Sequence, residues 1–184
     1  CFSFYANKLI TTGEGGAVVT NSDKIAAKVR SLKSLSRHKS SRFIHEDIGF
    51  SLNMSNLQAA VGVAQLESIE NYIAQKSAMA DYYNQHLANI PGLILPADFT
   101  EGRQIYWMYA VRIETKKFGC SRDEFARLLW EDYQIQTRQF FNAPRLAFKP
   151  IGKYQQSHVP VAEKIGREGL YLPSGTSQTL EDFA

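Results

Sequence analysis

The chain has 184 residues, 44% of them hydrophobic, which suits a globular fold, and its formal net charge of +3 is too small to indicate a nucleic-acid partner. No apolar run approaches membrane-spanning length and no signal peptide is visible, so we expect neither a membrane segment nor export. The two cysteines, Cys1 and Cys120, lie far apart and indicate no disulfide framework and no metal site, as expected for a cytoplasmic protein.

The first predicted element is a pair of strands, residues 2–6 and 16–20, around a turn that holds Lys8, two threonines and several glycines. An amine in an apolar setting can be kept neutral enough to attack a carbonyl, which a Schiff-base lysine must do. The hydroxyl of Ser3 and the backbone amides of the glycine turn would suit a phosphorylated carbonyl cofactor. The alternative is a lysine whose stem packs at a strand end while its amine reaches water.

A helix is predicted next, capped by Asn21 or Ser22 and ending near Lys33. Residues 34–47 are polar and basic without a clean period, and they predict a loop. The basic side chains of this region are interpreted as a solvated face, with attraction of a diphosphate as the alternative. They are Lys28, Arg30, Lys33, Arg37, His38, Lys39 and Arg42.

The clearest helix start is Ser55, which has Gln58 at capping-box spacing. Apolar residues recur from Leu57 to Leu87 without a proline, and they predict one helix of about 30 residues, roughly 45 Å long. A helix of that length usually bridges two domains. The proline–glycine pair at 91–92 ends it.

Three parts are therefore predicted: residues 1–54, a linker helix over 55–89, and a small α+β domain over 90–184. In the last part, Ser121 and Glu124 have capping-box spacing and predict a helix start. The other predicted elements of this domain are strands over 93–95, 106–113, 135–137 and 170–172, a helix over 159–168, and a loop over 142–158.

Residues 3–16, SFYANKLITTGEGG, resemble the cofactor-lysine segment of the DegT/StrS-type sugar aminotransferases, fold-type I enzymes that use pyridoxal 5′-phosphate (PLP). Four later segments resemble further motifs of this family, in family order: GFSLNMSNLQAA at 49–60, YWMYAV at 106–111, TRQFF at 137–141 and GLYLPSG at 169–175. The glycine turn is most similar to perosamine-synthase-like members.

The resemblance implies an α/β fold class, the C-terminal part of a fold-type I transferase. Its parts would be the end of the large α/β PLP-binding domain, a long linker helix and a small α+β domain. It also implies that the first half of the family's chain lies upstream of Cys1 and that the last helix is cut short. We therefore expect a fragment that is inactive alone.

The resemblance gives Lys8 two roles, covalent binding of the PLP aldehyde and then acid/base catalysis of the proton shift. Dehydrating relatives carry histidine at this position, so Lys8 favours transamination. Ser3 matches a serine that hydrogen-bonds the cofactor phosphate, with satisfaction of a strand-end backbone group as the alternative.

Ser51 and Asn53 stand where the family pattern has an asparagine and an arginine, and that asparagine reaches the phosphate of the partner subunit's cofactor. Either residue could donate a hydrogen bond there. Arg138 is expected to clamp a carboxylate or phosphate of the substrate, or to form a structural ion pair. Glu14 is expected to shape the substrate pocket, or to stabilise the turn.

The predicted function is a PLP-dependent aminotransferase that moves an amino group, with glutamate as donor, to a nucleotide-linked keto-deoxy sugar for polysaccharide or antibiotic sugar synthesis. The intact protein is expected to be a homodimer with shared active sites. One alternative is a non-catalytic, regulatory or structural relative that retains the scaffold. Another is a nucleotide binder built on the glycine turn, although that turn lacks the lysine–serine ending of a P-loop.

Overall fold

The computed structural model describes residues 1–97, 101–147 and 158–183, and its elements mix helices with short antiparallel strands. Backbone contacts divide the chain into two compact units, Cys1–Asn71 and Tyr72–Ala184. The boundary falls within the predicted linker, and the three-part division remains a prediction. Within the described ranges, no helix has the length and apolar character needed to cross a membrane.

The first unit opens with a hairpin in which β1 (Phe2–Ser3) pairs antiparallel with β2 (Gly16–Ala17). Both strands are shorter than predicted. The backbone groups of Phe4 bond to Thr12 and Gly15 in place of a longer ladder, so the chain turns back on itself directly after Ser3.

A second hairpin joins β3 (Arg37–His38) to β4 (Ser41–His45), so the prediction of a loop over residues 34–47 is wrong. Its side chains are mostly exposed, with Phe43 88% exposed. A strand that buries neither face carries no polar–apolar alternation, so its sequence gives no period-2 signal.

Helix α1 (Asp23–Lys33) confirms its prediction, because Ser22 is the N-cap and its side chain accepts a hydrogen bond from the Ile25 amide. The prediction of a single helix from Leu57 to Leu87 is wrong.

Two helices stand in that range, α2 (Asn56–Glu67) and α3 (Ile69–Leu87). Ser68 separates them as the C-cap of α2, and its amide bonds to the carbonyls of Gln65 and Leu66. No proline or glycine marks this break in the sequence.

The second unit contains a four-stranded antiparallel sheet of order β5–β6–β8–β7. Its strands are β5 (Leu93–Ile94), β6 (Tyr109–Ile113), β7 (Arg138–Gln139) and β8 (Gly169–Leu172). Every second residue of β6 is buried, namely Tyr109, Val111 and Ile113. The core cluster joins Met79, Ala80 and Tyr83 of α3 with Tyr109, Val111 and Leu170 of the sheet.

The remaining helices are α4 (Thr115–Phe118), α5 (Arg122–Tyr133), α6 (Pro144–Ala147) and α7 (Pro160–Glu168), and a 3-10 turn spans Leu180–Phe183. Ser121 caps α5 as predicted.

The strand expected over residues 135–137 is displaced to β7, because α5 ends with Gln134 in the left-handed region. The predicted loop over 142–158 contains α6, and its residues 148–157 lie outside the described part of the chain.

Candidate active site

Lys8 lies in a tight turn that the backbone closes on both sides. Its amide donates to the carbonyl of Tyr5 at 2.9 Å, and the Thr12 amide donates to the carbonyl of Phe4 at 3.0 Å. The Phe4 amide in turn donates to the Gly15 carbonyl at 2.9 Å. The lysine side chain is half-buried. The structure thus places Lys8 in a fixed loop after β1, where an extended strand end was predicted.

Two threonines determine the shape of the glycine turn. Thr11 Oγ1 donates to the Phe4 carbonyl at 3.0 Å and accepts from the Gly13 amide at 2.9 Å. Thr12 is buried, and its Oγ1 donates to the Glu14 carbonyl at 2.8 Å. At Gly15, where φ is +147°, an added Cβ would lie 2.7 Å from Thr12 Oγ1. The turn therefore requires glycine for both its conformation and its packing.

The start of α2 holds this turn through one side chain. Gln58 Nε2 donates to the Glu14 carbonyl at 3.1 Å, while Gln58 Oε1 accepts from the Ser55 amide at 3.0 Å. Gly62 of α2 lies close to Thr12, since a Cβ there would meet Thr12 Cγ2 at 2.9 Å. The capping box was visible in the sequence, but the link to the turn was not, because it joins residues 44 positions apart.

Ser3 and Glu14 belong to the same hairpin as Lys8. Ser3 pairs with Gly16 in the ladder, and its exposed hydroxyl accepts from the Tyr5 amide at 3.4 Å. Glu14 contributes its carbonyl to the turn, and its residue is exposed. The strand-end role of Ser3 is thus visible in the structure, and its role at a phosphate remains a prediction.

Ser51 and Asn53 lie on an extended segment that follows the end of α1. The amides of Phe50 and Leu52 donate to the carbonyls of Leu32 and Lys33 at 2.6 and 2.9 Å, which caps that helix end. Ser51 is exposed and pairs with Ser34 through an isolated bridge.

In the Asn53 side chain, Nδ2 donates to Ser34 Oγ at 3.0 Å, and Oδ1 accepts from the same hydroxyl at 3.2 Å. The Asn53 side chain therefore already stabilises its own unit.

Arg138 lies in the second unit on β7, where it pairs with Tyr171 of β8. Burial raises the pKa of the Tyr171 phenol, and the positive charge of Arg138 acts against that rise. Phe140 and Phe141 stand 5.1 and 6.2 Å from the Tyr171 ring, measured between centroids. An exposed guanidinium beside a phenol and two phenyl rings can bind an anionic group that carries an organic moiety. The sequence did not point to Tyr171.

A cleft of about 390 Å³ lies between α5 and β7. Trp130, Thr137 and Gln139 line it, but Arg138 does not. Successive residues of a strand face opposite sides, so Arg138 is directed away from this cleft.

The residues around Lys8 fit a phosphorylated aldehyde. The amine supplies a nucleophile for the carbonyl, and Ser3 supplies a hydroxyl on the adjoining strand. At Gly16 an added Cβ would lie 2.7 Å from the Phe2 carbonyl, so glycine allows the close approach of β1 and β2 beside Ser3. An amine and a hydroxyl on one hairpin are groups that can bind a phosphorylated carbonyl cofactor.

The DegT/DnrJ/EryC1/StrS aminotransferase family matches the chain over residues 1–184. The chain belongs to this family. The resemblance drawn from the five motifs is confirmed, and so is the α/β fold class. The family indicates pyridoxal phosphate as the cofactor.

Relatives agree with this membership. The GDP-perosamine synthase of Caulobacter vibrioides is 35% identical over 183 residues, which cover 99% of this chain and 48% of the relative. The solved structure of DesI in the presence of its TDP-sugar product has a TM-score of 0.87 at 27% identity, and the match covers 98% of this chain and 45% of that chain. DesV of S. venezuelae, in complex with a ketimine intermediate, has a TM-score of 0.83 at 30% identity, and the match covers 98% of this chain and 47% of that chain. The chain spans about half the length of these relatives.

Proposed function

We propose that the intact protein is a PLP-dependent aminotransferase that acts on a nucleotide-linked keto-deoxy sugar, with glutamate as the amino donor. The observation that carries the proposal is the half-buried Lys8 in a turn shaped by glycines, within a match to the aminotransferase family over the whole chain. The names of the relatives support the substrate class, since one makes GDP-perosamine and another was solved with a TDP-sugar. The product would serve polysaccharide or antibiotic sugar synthesis in the cytoplasm.

Lys8 and Ser3 would hold the cofactor. The amine of Lys8 would hold the aldehyde group of the cofactor, and the same amine would serve as the acid and base that carries a proton between the reacting carbons beside it. The hydroxyl of Ser3 would donate to the phosphate. Pyridoxal phosphate, when bound, supplies the electron sink for the charge that develops on the substrate carbon.

The remaining site residues would act on the substrate or across a dimer. Arg138 binds an anionic group of the sugar nucleotide or of the amino donor, and Glu14 shapes the pocket. Ser51 donates toward the cofactor phosphate of a partner subunit, which requires a homodimer with shared sites. Asn53 can do the same only by releasing Ser34, so Ser51 is the better supported of the two.

The direct test is an amino-transfer assay on the full-length protein loaded with PLP. We expect 2-oxoglutarate to form from glutamate when a nucleoside-diphosphate 4-keto-6-deoxyhexose is present. Lys8→Arg should abolish turnover, whereas Lys24→Arg, an exposed position on α1, should leave it unchanged. A folded, PLP-loaded protein that transfers no amino group would favour the non-catalytic relative.

A further inference from the structure

Lys76 is a buried cation that the proposed chemistry does not use. It lies on α3 with 4% of its surface exposed, and in the described part of the chain it forms no ion pair. Its ammonium donates to two backbone carbonyls, those of Trp107 at 3.2 Å and of Ser174. A buried charge is stable only where hydrogen bonds offset its loss of hydration. The two carbonyls provide these hydrogen bonds for the Lys76 ammonium.

The two carbonyls lie at equivalent places beyond one end of a strand ladder. The β6–β8 pairing ends at Tyr109 and Leu172, and Trp107 and Ser174 each lie two residues further out. Lys76 therefore links the segments that extend from β6 and β8 beyond the last residue pair of their ladder. Charge-assisted bonds of this kind are stronger than the amide–carbonyl bonds of a ladder.

The backbone on both sides of the Lys76 ammonium shows further restraints. Tyr106 has a φ of +42°, an unfavourable conformation for an aromatic residue, directly before Trp107. On the other strand, Tyr83 Oη donates to the Pro173 carbonyl at 2.9 Å. Tyr83 is seven residues after Lys76, so both donors lie on the same face of α3. One helix thus fixes two consecutive carbonyls at the end of β8.

Strand β8 transmits this restraint to Arg138. Tyr171 lies three residues before Ser174 and pairs with Arg138 on β7. We propose that Lys76 is a positioning residue for substrate binding, which fixes the end of β8 and thereby the place of the Arg138 guanidinium. This inference rests on the assignment of Arg138 to the substrate in the proposed function.

The test uses the full-length enzyme loaded with PLP and compares Lys76→Met with Lys164→Met, an exposed lysine on α7. We expect Lys76→Met to raise KM for the sugar nucleotide by about tenfold while kcat stays within about threefold, with unchanged PLP absorbance. Lys76→Arg keeps a cationic donor and should recover part of the affinity. Combining Lys76→Met with Arg138→Gln should raise KM no further than the larger single effect. A folded Lys76→Met enzyme with an unchanged KM would overturn the inference.

A second measurement separates this inference from the proposed function. Amide hydrogen exchange in residues 107–110, 138–139 and 170–175 should quicken by about tenfold or more in Lys76→Met and stay unchanged in Lys164→Met. Unchanged exchange in Lys76→Met overturns the inference even if the enzyme is active. An enzyme without amino transfer, whose exchange quickens as expected, contradicts the proposed function and supports the restraint that Lys76 places on β8.

Discussion

Gly15 shows how a single residue shapes the surroundings of Lys8. Its φ of +147° is a conformation that other residues rarely adopt, and the space where a Cβ would stand is occupied by Thr12 Oγ1 at 2.7 Å and Met54 Cε at 3.0 Å. Gly13, two residues earlier, has a φ of +78° but open space around it. A side chain at Gly13 would meet backbone strain only, whereas a side chain at Gly15 would meet backbone strain and a steric clash.

Gly15→Ala should destabilise the protein more than Gly13→Ala. The strained φ alone costs about 1 kcal/mol, and displacement of the buried Thr12 hydroxyl raises the total to about 2–4 kcal/mol. Urea denaturation of both variants measures the difference. In the full-length protein, Gly15→Ala should also weaken PLP binding. Equal losses in the two variants would show that the contact with Thr12 is unimportant.

Lys76 should make stability depend on pH in the alkaline range. Burial lowers the pKa of its ammonium to about 8, from 10.5 in an unfolded chain. Between these values the unfolded chain binds a proton that the folded chain has released, so the unfolding free energy rises with pH. The rise is about 2–3 kcal/mol between about pH 7 and pH 10.

The measurement is urea denaturation of the wild type, Lys76→Met and Lys164→Met at both ends of that range. The difference between wild type and Lys76→Met isolates one lysine, because the tyrosines and the other lysines titrate in both proteins. Lys164→Met should keep the full rise. A rise of equal size in Lys76→Met would mean that other groups cause it.

At the scale of elements, the sequence predicted best where a local signal marks a boundary. The caps Ser22, Ser55 and Ser121 each begin a helix where predicted, because capping depends on side chains within one turn. The β3–β4 hairpin was missed because it buries neither face. The break at Ser68 was missed because Ser68 is not a strong breaker, and the apolar period continues across it.

Gln58→Glu should separate the two tasks of the α2 capping box. The carboxylate keeps the acceptor for the Ser55 amide and favours the helix start, but it cannot donate to the Glu14 carbonyl as Nε2 does. We expect α2 to remain intact while amide exchange in residues 11–16 quickens by about tenfold. Gln65→Glu, near the other end of α2, is the control. Unchanged exchange in the turn would contradict the role given to Gln58.

At the scale of the whole molecule, the sequence predicted the family and the candidate lysine, because both depend on short motifs whose order is preserved along the chain. It did not predict the contacts that shape the site. Gln58 reaches Glu14 across 44 positions and Lys76 reaches Ser174 across 98, and neither pattern is local. The chain spans about half the length of the curated relatives it matches.

The central claim is that Lys8 binds the cofactor. It is tested most directly by incubating the full-length protein with PLP, reducing the mixture with borohydride and locating the modified peptide by mass spectrometry. We predict a single phosphopyridoxyl group on Lys8, retained in Lys24→Arg and lost in Lys8→Arg. A folded protein that carries no label, or carries it on another lysine, would contradict the account.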